Sequence, residues 1–211
     1  MTSAAFLWLC LAVVVAAADW AAVHVDARKV EYLCKPLTMV LLIGAAVALD
    51  PADDAVRWWF VAGLALSLAG DVFLMLPRDL FVPGLSSFLL AHIAYVVGMH
   101  VAGVTVLPFM VGLAVVAVAM ATLGRRIVGA VRAGDEPVLA GPVVAYMVVI
   151  SAMVASAIGV GTPVLIAGAV LFYASDALIA WNRFVGPTPH PRVSIMTTYH
   201  LGQVGLVLAL I

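Results

Sequence analysis

Eight runs of apolar residues, separated by short polar connections, dominate the chain, at about 3–19, 34–49, 58–76, 81–100, 104–123, 138–158, 163–182 and 194–211. Each is close to the roughly 20 residues that a helix needs to cross the hydrocarbon of a bilayer. None alternates apolar and polar residues as a membrane barrel strand does. The connections carry Pro, Gly and charge: "LDPADDAVR", "PRDLFVPG", "RAGDEP" and "GPTPHPR". The pattern predicts an all-α, polytopic membrane protein with eight transmembrane helices.

The distribution of basic residues orients that bundle. Arg28, Lys29 and Lys35 flank the first connection, Arg78 lies in the third, Arg125, Arg126 and Arg132 in the fifth, and Arg183 and Arg192 in the seventh. Only Arg57 lies on the opposite side, beside Asp50, Asp53 and Asp54. The positive-inside rule then makes the odd-numbered connections cytoplasmic and puts both termini on the non-cytoplasmic side. The first run, "MTSAAFLWLCLAVVVAAAD", resembles a signal peptide but has no basic n-region, so it is read as a first span.

Composition agrees with the pattern. The chain is 66% hydrophobic and 10% charged, with a mean hydropathy of +1.22, so 1–211 reads as a single transmembrane domain. A net charge of −1 without an extended basic run speaks against a nucleic-acid partner. Cys10 and Cys34 form no CxxC or Cys/His spacing and read as small buried hydrophobes. Nothing calls for a cofactor, and the oligomeric state is open.

Against this apolar background a few polar positions stand out. "LSLAGDVFLML" places Asp71 inside the third span, and "ASDALIAWNR" places Asp176 inside the seventh. The two contexts align, each with a small residue before Asp and Arg seven residues after it, which is what a 4+4 internal repeat would give. Asp71 falls about five residues, roughly 8 Å, from the cytoplasmic end of its span. Asp176, Lys35, Tyr199, His200 and Gln203 fall in the same leaflet, with His92 and Tyr95 somewhat deeper. An ionisable group in the membrane costs roughly 3 kcal/mol and usually faces a cavity or a partner. Asp71 and Asp176 are therefore expected to point into the bundle, either pinning helices against a base such as Lys35 or forming one functional site.

These same segments carry a resemblance. "SLAGDVFLMLPRDLFVPGLSSFLLAHIAYVVG", "LFYASDALIAWNRF", "TTYHLGQ" and "CKPLTM" resemble the YhhN, or lysoplasmalogenase, family from about Lys35 to Gln203. His200 stands where the family pattern has an aromatic such as Tyr. The resemblance implies a membrane hydrolase that cleaves the vinyl-ether bond of a lysoplasmalogen, releasing a fatty aldehyde and a glycerophospho-base.

That chemistry begins with protonation of the outer vinyl carbon, giving an oxocarbenium ion to which water adds. It needs a protonated acid, a negative charge near the cation and a base, which two carboxylates in unequal environments supply, as they do in glycosidases. Asp71 and Asp176 are the expected catalytic pair, with the acid unassigned between them. Lys35, Asn182 and Arg183 are expected near the lysolipid phosphate, and Tyr95, Tyr199 and Gln203 as groups that orient water or the carboxylates. His92 is a supporting residue, and the site would open to the cytoplasmic leaflet of the cell membrane. Two other readings stay open: a zinc-dependent lipid hydrolase using His92, His200, Asp71 and Asp176, and a small or proton-coupled transporter.

Overall fold

A computed structural model describes residues 2–211. Eight helices follow in chain order: α1 (Ser3–His24), α2 (Arg28–Ala48), α3 (Asp54–Met75), α4 (Phe81–Ala102), α5 (Val106–Ala133), α6 (Pro137–Val160), α7 (Pro163–Phe184) and α8 (Pro191–Leu208). No strand occurs among the described residues. The first seven helices are long and apolar enough to cross a membrane. The eighth has 18 residues and carries Thr197, Thr198, Tyr199, His200 and Gln203, which lower its hydropathy.

Burial runs as it must where the solvent is lipid. Large apolar side chains such as Leu107, Met110, Val115 and Leu7 are exposed, while Lys35, Asp71, His92, Asp176, His200 and Gln203 are buried. Backbone polar groups are satisfied within the helices, which is the condition for a span in hydrocarbon.

Consecutive helices pack as hairpins, α1 with α2, α3 with α4, α5 with α6 and α7 with α8. Small residues bring α7 and α8 into backbone contact. A Cβ on Gly168 would stand 2.9 Å from the Gly202 carbonyl oxygen, and one on Gly202 would stand 2.9 Å from the Phe172 nitrogen. Close approach of this kind is how membrane helices gain van der Waals contact without a hydrophobic driving force.

Polar clasps tie the connections together at the two ends. At one end Arg192 reaches from the start of α8 to Asp26 and Glu31, and Arg183 from the end of α7 to Asp79 and Glu136. At the other, Thr2 donates to the Ala48 carbonyl and the Thr105 amide to the Gly159 carbonyl. The first, third, fifth and seventh connections thus share one end of the bundle.

The main departure from the hydropathy pattern is α5. Its apolar run ends near residue 123, yet the helix continues to Ala133 through a π turn at Met120–Gly124. Arg125, Arg126 and Arg132 are therefore helical and do not lie in a connection. Ile127 and Val131, one turn apart, bury against Phe81, Leu139, Val143 and Met147 and supply the reason the helix goes on.

Candidate active site

Asp71 sits on α3 behind Gly70, whose missing side chain leaves room for the Phe88 ring. The residue is 1% exposed. One oxygen lies 3.2 Å from Lys35 Nζ on α2, and the other accepts from the Tyr199 hydroxyl of α8 at 2.6 Å. Lys35 and Tyr199 are themselves buried, so Asp71 belongs to a closed ion pair with a phenol on its free side.

Asp176 on α7 has a different set of partners. Its Oδ2 accepts from the Tyr146 hydroxyl of α6 and lies 3.0 Å from His92 Nε2 of α4. The His92 nitrogen is also 2.9 Å from the Tyr146 hydroxyl, closing a three-membered cluster. His92 Nδ1 has no hydrogen-bond partner among the described residues. The two carboxylates share no hydrogen bond. A run of aromatic contacts joins their neighbourhoods, from Tyr199 to Phe172 at 5.3 Å and from Phe172 to His92 at 4.7 Å between centroids.

The surroundings of Asp176 open where those of Asp71 are closed. A narrow apolar cleft runs between α3, α4, α5, α6 and α7, and Asp176 and Tyr146 lie in its wall. Leu74, Phe88, Ile150 and Phe184 are among its apolar lining. Asp71, Lys35 and Tyr199 do not line it. At the cleft's end the Phe81 and Phe184 rings meet edge to face, and the Arg183 guanidinium stands 4.0 Å from the Phe81 centroid.

The remaining expected residues are distributed as follows. Tyr95 donates to Gln203 Oε1 at 2.7 Å, linking α4 to α8 deep in the bundle. Asn182 donates to the Leu178 carbonyl and accepts from Thr188, so it fastens the turn after its own helix. Arg183 is held by Asp79 and Glu136. Its guanidinium in turn holds the Asp79 carboxyl below the usual carboxylate range. His200 accepts from the Trp20 indole at 3.1 Å and lies apart from Asp176. No group of three or more His, Cys, Asp or Glu among the described residues is arranged to hold a metal.

Tyr146 and Asp19 are among the buried polar residues that escape the sequence reading. Tyr146 stands alone in the apolar run "GPVVAYMVVIS", and a tyrosine there counts as apolar in a hydropathy profile. Asp19 marks the end of the first apolar run, but α1 continues to His24 and carries Asp19 inside, fully buried, with no hydrogen-bond partner for either oxygen among the described residues.

Comparison with known proteins supplies the relatives. Human lysoplasmalogenase TMEM86B is 30% identical over 177 residues, covering 84% of this chain and 74% of that protein. A lysoplasmalogenase of Mycobacterium tuberculosis (strain CDC 1551 / Oshkosh) is 33% identical over 172 residues, 79% of this chain and 65% of that protein. The uncharacterized membrane protein YhhN of Escherichia coli O157:H7 is 34% identical over 94 residues, 43% of this chain and 44% of that protein. No solved structure matches the chain significantly. The YhhN family model matches residues 30–210, and the chain belongs to the YhhN family of membrane proteins.

Proposed function

We propose that this protein is a lysoplasmalogenase, hydrolysing the vinyl-ether bond of a lysoplasmalogen to a fatty aldehyde and a glycerophospho-base. The observation that carries the reading is a buried carboxyl, Asp176, in the wall of a cleft whose lining is almost wholly apolar. Relatives named lysoplasmalogenase, at about 30% identity over most of the chain, point the same way.

In this reading Asp176 is the acid that touches the substrate. Its carboxylic proton goes to the outer vinyl carbon, leaving an oxocarbenium ion on the carbon bonded to the ether oxygen. The Asp176 carboxylate then takes a proton from water as the water oxygen adds to that carbon. The hemiacetal collapses when Asp176 passes this proton to the ether oxygen and takes up the hydroxyl proton, giving aldehyde and alcohol with one water consumed and the carboxylic acid restored. Tyr146 and His92 hold Oδ2, so the other oxygen is left to the substrate. A dry, prearranged carboxylate stabilises a developing cation more than a hydrated one does.

Asp71 is assigned a positioning role. Fixed by Lys35 and Tyr199, it sets the aromatic packing of Tyr199 on Phe172 and of Phe172 on His92. The site opens to the cytoplasmic leaflet of the cell membrane, because the cleft's charged end carries Arg183, Arg125 and Arg126. The exchange of partners between the halves, with α8 serving the Asp of α3 and α4 serving the Asp of α7, supports the 4+4 repeat.

The test is purified protein in detergent with a 1-alkenyl lysophospholipid, its saturated 1-alkyl counterpart and the ester lysolipid. Aldehyde release from the alkenyl compound, with the 1-alkyl compound left intact, is the expected result. Fatty acid release from the ester alone would reject it.

A further inference from the structure

An apolar cleft suits a hydrocarbon chain and a vinyl ether but not the phosphodiester of a lysolipid, whose charged oxygens need donors. The two cations expected to supply them are both engaged. Lys35 is buried against Asp71, and Arg183 is clasped by Asp79 and Glu136.

Two other arginines are free and adjacent to the cleft. The π turn of α5 at Met120–Gly124 runs straight into Arg125 and Arg126, which with Thr122 and Trp181 of α7 line an open recess. Leu123 lines both the recess and the apolar cleft, so the two cavities share a wall. Arg125 and Arg126 are exposed and form no ion pair among the described residues. π turns inside helices recur at functional sites.

The spacing also fits. Trp181 lies five residues beyond Asp176 on α7, roughly 7.5 Å along the axis at 1.5 Å per residue. In a lysolipid five covalent bonds separate the ether oxygen from phosphorus, roughly 6 Å when extended. A vinyl ether at Asp176 therefore puts the phosphate at the height of the recess. Paired guanidinium groups suit phosphate oxygens, and the half-buried Trp181 indole offers a face for the head group's ammonium.

We propose that Arg125, Arg126 and Trp181 form the head-group subsite, binding the phosphodiester of the lysolipid whose vinyl ether lies at Asp176. The proposal rests on the lysoplasmalogenase reading and identifies what that site recognises. Arg125 and Arg126 touch the phosphate and not the reacting carbons, so their loss acts on binding.

The experiment compares the full-length wild type with R125Q/R126Q and with R132Q, a third α5 arginine outside the recess, on two substrates. One is a 1-alkenyl lysophosphatidylethanolamine and the other is 1-alkenylglycerol, which has no phosphate. The double variant should raise KM for the phospholipid about tenfold or more with kcat retained, and leave KM for the alkenylglycerol unchanged. R132Q should match the wild type on both.

A KM that does not move, that moves equally for both substrates, or that moves equally in R132Q would overturn the proposal. The last outcome would leave only a general attraction of basic residues to anionic surfaces. A binding arm keeps the question separate from catalysis. A saturated 1-alkyl lysophosphatidylethanolamine should bind the wild type at least tenfold more tightly than R125Q/R126Q by calorimetry, even if no aldehyde is ever formed. Equal affinity would overturn the subsite. Inorganic phosphate binding as tightly as the alkyl lysolipid would assign the recess to free phosphate and overturn the lipid assignment.

Discussion

Asp71 and Asp176 occupy similar sequence contexts and receive opposite treatment from the fold. Each takes one partner from the helix before its own, Lys35 for Asp71 and Tyr146 for Asp176. Each takes a second from the far hairpin, Tyr199 for Asp71 and His92 for Asp176. The plan is shared, but the chemistry is not. A lysine pairs with the first carboxylate, whereas the second has a phenol and an imidazole for partners. The cleft reinforces the difference, since Asp176 meets it and Asp71 does not. In the proposed function the two aspartates divide labour, one holding the bundle and one meeting the substrate.

The largest break in that comparison should come from the ion pair. Removing one partner of a buried pair leaves a charge without compensation and costs about 3–5 kcal/mol. Lys35→Met and Asp71→Asn should each lower the thermal midpoint of the purified protein markedly. Combining Lys35→Met with Asp71→Leu should recover most of the loss, because both charges are then gone. A double variant no more stable than the singles would remove the structural role from Asp71.

A smaller effect separates the two phenols. Tyr146→Phe takes a donor from Asp176, and a hydrogen bond to a charged group contributes about 1.5–3 kcal/mol. It should therefore slow aldehyde release about tenfold or more with little change in melting. Tyr199→Phe should show its cost mainly in stability. Equal losses of activity in the two variants would blur the division between the carboxylates.

The smallest effect concerns the clasp at the cleft's end. Arg183 lowers the pKa of Asp79, so the folded state binds a proton there less readily than the unfolded chain. The stabilisation is complete above the ordinary Asp value of about 3.9 and fades as pH falls through the lower folded value. Thermal midpoints taken between about pH 6 and pH 3 should decline slightly less steeply in Asp79→Asn than in the wild type. The exposure of Asp79 keeps the difference small.

Much of this was legible in the sequence because lipid imposes simple rules. Eight apolar runs correspond to eight helices, and Asp71, Asp176 and His92 stood out as polar residues deep within runs. A pairing with Lys35 is one of the two readings the sequence leaves open for the aspartates, and Asp71 is the one that makes it. Other features depend on rotation and packing, which hydropathy does not encode. Tyr146 merges into an apolar run because its ring is apolar and only its hydroxyl faces Asp176. Asp19 lies where the first run ends, and only the continuation of α1 to His24 carries it inside. Arg125 and Arg126 read as a connection because two adjacent charges interrupt the apolar run just before Ile127 and Val131, the buried residues that extend α5. The expected phosphate contacts at Asn182 and Arg183 were placed by depth alone, and the structure instead gives both residues intramolecular partners.

The central claim is that Asp176 is the acid that touches the vinyl ether. Its most direct test is aldehyde release by Asp176→Asn, with thermal melting recorded on the same preparation. A positioned general acid contributes about 10²–10⁴-fold, so the account predicts a loss of that size in a protein that melts close to the wild type. An Asp176→Asn variant that folds and still releases aldehyde within a few-fold of the wild-type rate would contradict it.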